Sequence, residues 1–148
     1  MRTPYLNLTV NLIFSAIVMY LVMFAMIDAW ADFYNNLNML YMALMMLAPM
    51  AILMIITMPG MYPSKRANVV ICLGAIVVFM GAFGLMRMQG LVGDTQFLRS
   101  MIPHHSGAIL MCREAQLEKP GIKELCDTII KSQQDEIRQM EALLVGAV

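Results

Sequence analysis

Three stretches of this chain, Leu6–Ile27, Leu37–Met58 and Val69–Met86, contain no charged side chain. A helix rising about 1.5 Å per residue needs roughly 20 apolar residues to cross a hydrocarbon layer about 30 Å thick. Only a helix or a closed barrel satisfies every backbone polar group in such a medium. The stretches are therefore expected to be three transmembrane helices, over about 6–27, 37–58 and 69–88. Between them lie turn-forming segments, Asp28 through Asn38 and Pro59 to Asn68, with Trp30, Tyr34 and Tyr62 where interfacial aromatics are expected.

The distribution of charge supplies the domain boundary. Fourteen of the twenty charged residues lie from Asp94 onward, and the first 93 residues carry only Arg2, Asp28, Asp32, Lys65, Arg66 and Arg87. This divides the chain into a membrane domain, 1–92, and a polar domain, 93–148. The net charge of zero gives no basic patch for a nucleic acid, so the partner that composition implies is the lipid bilayer. A polar segment this short buries little core alone and is expected to need a second copy, a metal ion, a disulfide or the membrane itself.

Arg2, Lys65 and Arg66 place the N-terminus and the second loop in the cytoplasm by the positive-inside rule, against a single dissent from Arg87. The first loop and the polar domain then face outward from a bacterial inner membrane, into the periplasm of a Gram-negative cell. Ala29-Trp30-Ala31 has the small-x-small form of a signal-peptidase site. The first apolar run is longer than a signal peptide's and Asp28 interrupts the approach, so the span is expected to be retained.

Methionine is the unusual residue, with 18 in 148. In the second span Met39, Met42, Met46, Met50, Met54 and Met58 recur at helical spacing. Such a stripe usually fills gaps in packing. It is also a ladder of thioethers, soft ligands that suit Cu(I), with Met42, Met46, Met50 and Met54 as its rungs. The spacing resembles that of eukaryotic high-affinity copper transporters in that one respect.

From Asp94, a natural N-cap, the pattern becomes amphipathic. Phe97, Met101, His105, Ala108, Cys112 and Ala115 recur at steps of three and four, then Lys119-Pro120-Gly121 makes a turn. Ile122, Cys126, Ile129, Gln133, Ile137, Met140 and Leu144 continue on a second helix. The fold class is thus all-α: three spans, then an antiparallel two-helix hairpin. With the turn centred near residue 119, Cys112 and Cys126 lie level across the hairpin, placed either for a disulfide or as a pair of thiolate ligands. The same register gathers Met101, His104, His105, Gln133, Glu136 and Met140 near one level. Imidazole and thioether together suit copper.

Met101-Ile-Pro-His-His-Ser-Gly-Ala-Ile-Leu-Met111, followed by Gln133-Gln-Asp-Glu-Ile-Arg-Gln-Met140, resembles the domain-of-unknown-function 305 family over the last third of the chain. The resemblance implies a ferritin-like helical bundle and, as for some members, extracytoplasmic copper binding. His104, His105, Met101, Met111, Met140 and Glu136 are then candidate metal ligands, with Gln133 and Asp94 supporting them. Many members hold two hairpins in tandem where this chain has one, so a homodimer or higher oligomer is expected to rebuild the bundle. Cys112 replaces the usual Ala.

The expected function is membrane-anchored binding of copper or silver for sequestration, delivery or tolerance. Transport of Cu(I) along the methionine ladder and a metal-free assembly module are the alternatives. No enzyme is expected: there is no Glu-x-x-His pair, nucleophile–base pair or phosphate loop.

Overall fold

The computed structural model describes residues 3–146. Helix α1 spans Thr3–Val22 and runs on into a 3₁₀ turn, Met23–Met26. A second 3₁₀ turn, Trp30–Asp32, precedes α2, Leu37–Thr57. Then come α3, Lys65–Arg87, α4, Asp94–Glu114, and α5, Pro120–Gly146. The described residues hold no strand, and three helices are long and apolar enough to cross a membrane: Pro4–Met26, Leu37–Thr57 and Lys65–Arg87.

The chain folds into two compact units, and neither is continuous in sequence. Residues 3–23 and 38–91 form one; residues 24–37 and 92–146 form the other. The first loop thus groups with the C-terminal helices rather than with the apolar helices that flank it in sequence.

In the first unit, small side chains let the helices meet. Ala48 and Ala51 of α2 pack with Ala75 of α3, flanked by Leu12, Ile52 and Phe79. Toward the other end Leu8, Ile55 and Tyr62 cluster. Tyr62 is buried rather than turned outward as an interfacial aromatic, because it packs on Tyr5 at 5.7 Å between ring centroids. Tyr5 in turn accepts a hydrogen bond from the Ser64 N–H (3.0 Å) and donates to Asn68 Oδ1 (3.0 Å). Ser64 caps α3 by accepting from the Ala67 N–H, which starts that helix four residues before the apolar run. Helix α2 continues through Pro49. After α3 the backbone turns through Gln89 and Leu91, both at positive φ, a conformation that side chains with a Cβ seldom adopt. Tyr41 donates to the Gly90 carbonyl (2.8 Å), and Asn38 and Gln89 pair their amides.

In the second unit α4 and α5 form the expected antiparallel hairpin. Pro120 opens α5, where its missing N–H costs nothing. Gly93, not Asp94, is the N-cap of α4; Asp94 is its first helical residue, where its charge favours the helix dipole. Ile102, Ile109, Ile137 and Met140 make the core, joined by Tyr34, Leu98, Met101, Ile130 and Leu144. The buried stripe of α4 is thus rotated from the one expected: Phe97 is half exposed, while Ile102 and Ser106 are wholly buried. The reason is a second neighbour. Residues 24–37 lie against α4, and the Cβ that Gly107 lacks would come 3.3 Å from the Met26 carbonyl oxygen.

Candidate metal centre

The hairpin register is locked by a disulfide between Cys112 and Cys126, whose Cα atoms are 5.2 Å apart. The two residues are level across the turn, and closing a loop of this length stabilises a fold by about 3 kcal/mol on the chain-entropy model. The thiolate-pair alternative is therefore not the state of this structure. Cys72 is a free thiol on α3.

Two turns back along α4 stand the histidines. His105 turns inward, its side chain 12% exposed, and its Nδ1 lies 2.9 Å from Glu136 Oε2 on α5. The approach is at ion-pair distance but is not aligned for a hydrogen bond, so this buried ring nitrogen has no well-formed partner. The other Glu136 oxygen, Oε1, accepts from Ser132 Oγ at 3.1 Å. Burial pushes the His105 pKa below its ordinary value, helped by His104 and opposed by the Glu136 charge. The ring is accordingly neutral at pH 7, the form that can bind a metal. His104 is exposed, and its ring centroid lies 5.9 Å from that of His105.

The remaining candidates divide. Met101 and Met140 pack in the hairpin core beside Ile102 and Ile137. Gln133 is half buried on α5. Met111 is 54% exposed and six residues beyond His105, about 9 Å along the axis. Asp94 is eleven residues before His105, about 16 Å away along α4, too far to support the histidines. Among the described residues no three His, Cys, Asp or Glu side chains converge. What the fold offers is one neutral imidazole, one carboxylate and two core thioethers. That donor set suits a soft monovalent ion and is too poor in oxygen for a hard divalent one.

In the membrane-type unit the ladder is divided. Tyr41, Ala43, Ala48, Ala51 and Ile55 are the buried residues of α2; Met42 and Met46 are 43% and 48% exposed, Met50 is half buried, and Met54 is half buried against the Leu8, Ile55 and Tyr62 cluster.

One polar constellation was invisible to periodicity. Ser106, fully buried on α4, donates through Oγ to Asp32 Oδ2 (2.5 Å) and accepts from the Asp28 N–H (2.7 Å). Arg113 pairs with Asp28 Oδ2 at 2.5 Å. Gln96 Oε1 accepts from the N–H of Leu37, the first residue of α2 (3.2 Å). Three residues of α4, Gln96, Ser106 and Arg113, thus tie Asp28, Asp32 and the Leu37 N–H of residues 24–37 to the hairpin. The available signal was the placing of two of the six charges of the first 93 residues inside one short loop, opposite a Ser-Gly pair in a helix.

The model of a family described as "Domain of unknown function (DUF305)" matches residues 82–144. The chain is 34% identical over 123 residues to "Uncharacterized protein L153" of Acanthamoeba polyphaga mimivirus, covering 79% of each. An alignment that long does not fit within residues 82–144, so the likeness takes in part of the membrane-type unit. No solved structure matches. The chain belongs to the family of that viral protein and carries a DUF305 domain at its C-terminal end.

Proposed function

We propose that the hairpin is a membrane-anchored binding site for a soft metal ion, Cu(I) or Ag(I), on the side of the membrane opposite the cytoplasm. The observation that carries this reading is His105: a buried imidazole held neutral, its Nδ1 poorly partnered, beside a core that contains two thioethers. His105, Met101 and Met140 are the central ligands, with Glu136 at the imidazole. His104 and Met111 are exposed and serve loading, or complete the site in a second hairpin. The metal is cargo, held for sequestration, delivery or tolerance.

Two features support the outward placement. The Cys112–Cys126 disulfide belongs in an oxidising compartment. Lys65 and Arg66 stand at the start of α3, where the positive-inside rule puts the cytoplasm, and the chain crosses that helix once before the hairpin begins.

A metal-free structural role is the second reading, favoured by the engagement of both Glu136 oxygens, with Ser132 and His105. Anaerobic Cu(I) titration of the detergent-purified protein against a chromogenic chelator separates the two. Stoichiometric binding lost in both His104→Ala/His105→Ala and Met101→Leu/Met140→Leu is the expected result. Binding retained in both variants moves the metal to the methionines of α2, and no binding by the wild type leaves the structural role.

A further inference from the structure

Helix α1 carries a polar stripe that its own unit does not use. Asn7, Asn11 and Ser15 recur at steps of four, so they follow one another along a single side of the helix. Leu8 and Leu12 face the core clusters of the unit; Asn7 and Asn11 are exposed and Ser15 is half buried. Asn11 Oδ1 accepts from Ser15 Oγ (3.3 Å), and the Asn7 amide has no partner among the described residues. Along this side runs a shallow open groove lined by Asn7, Asn11, Phe14, Ser15, Val18 and Met19.

In water such a stripe would mean nothing. Here the helix is long and apolar enough to lie in a membrane. Asn11 is eight residues, about 12 Å, from the first residue of α1, and Ser15 about 18 Å, so both fall within a hydrocarbon layer about 30 Å thick. An amide that faces lipid there finds no hydrogen-bond partner, and polar residues in spans accordingly turn toward one another.

We propose that this stripe is the face through which two copies of the chain associate in the membrane. The argument for a second copy is self-complementarity. An amide both donates and accepts, and every copy inserted in the same direction presents Asn7, Asn11 and Ser15 at the same depth. A two-fold axis along the membrane normal then brings each amide opposite its own counterpart, with the groove receiving the neighbouring helix. The proposal rests on α1 spanning the membrane and is independent of any metal.

The test uses the full-length protein with Cys72→Ser and the native disulfide intact, in lipid vesicles that retain it through an alkaline carbonate wash. The wash establishes insertion, so a failure of insertion is distinguished from a failure of pairing. Ser15→Cys is compared with Ile13→Cys, which is exposed and about 160° from Asn11 around the helix. Iodine oxidation is expected to give a disulfide-linked dimer from Ser15→Cys and not from Ile13→Cys. Energy transfer between labelled copies on lipid dilution is expected to show dissociation about tenfold easier for Asn7→Leu/Asn11→Leu. Cross-linking that is absent, or equal at the two positions, overturns the proposal, as does a dimer that the leucine pair leaves unchanged.

Discussion

The two units differ most in where they use small side chains and in what they leave exposed. In the unit of α1–α3 the tightest positions of α2 include Ala43, Ala48 and Ala51, while Val70 and Val77 of α3 are about 70% exposed. In the hairpin unit Ile102 and Ile109 are inside, and the exposed positions of α5 carry Lys123, Glu124, Lys131 and Arg138. Water rewards burying large apolar side chains; lipid gives no such reward, so helices there meet through small ones. Exposure of a valine is thus a defect in one unit and a fit to the surroundings in the other.

Substitutions can break this contrast. Ile102→Ala should destabilise the hairpin unit by about 2–5 kcal/mol, measured by chemical denaturation in detergent, because the fully buried side chain leaves a cavity. Ser106→Ala should cost about 1–3 kcal/mol and raise hydrogen exchange across residues 24–37, since it strips the buried Asp32 carboxylate and the Asp28 N–H of their shared partner. Acid should act next. The His105 pKa is lowered on folding, so its contribution is present above the unfolded value of about 6.5 and fades as pH falls through it. A His105→Gln protein should lose less stability between pH 7 and pH 5 than the wild type. At the small end, Val77→Ala should change stability by less than about 0.5 kcal/mol, because its side chain has little protein to leave. A large loss there would mean that this face of α3 packs against another protein surface.

Much of this was legible beforehand. Runs without charge located the apolar helices to within a few residues, and a turn centred near residue 119 set Cys112 level with Cys126. The rest failed for an identifiable reason. Periodicity finds one apolar face per helix, and α4 has two neighbours, α5 on one side and residues 24–37 on the other. Ser106 and Gly107 read as weak positions in a stripe because their partners, Asp28, Asp32 and Met26, are some 75 residues earlier. At the candidate centre, histidine identity was readable but orientation was not: His105 turns in and His104 out, a difference set by one residue's rotation on the helix.

The split composition of the hairpin unit has a consequence for biosynthesis. Residues 24–37 leave the ribosome long before Ser106, Arg113 and the core of α4 exist to receive them. At about 5–20 residues per second the wait from Leu37 to Ser106 is roughly 4–14 s. Through that interval the Asp32 carboxylate stands without Ser106, the hydroxyl that meets it in the folded unit, and all of α3 is made before that partner appears. The loop is therefore made first and left unfinished, and the helices that follow α3 act as the clasp that completes it.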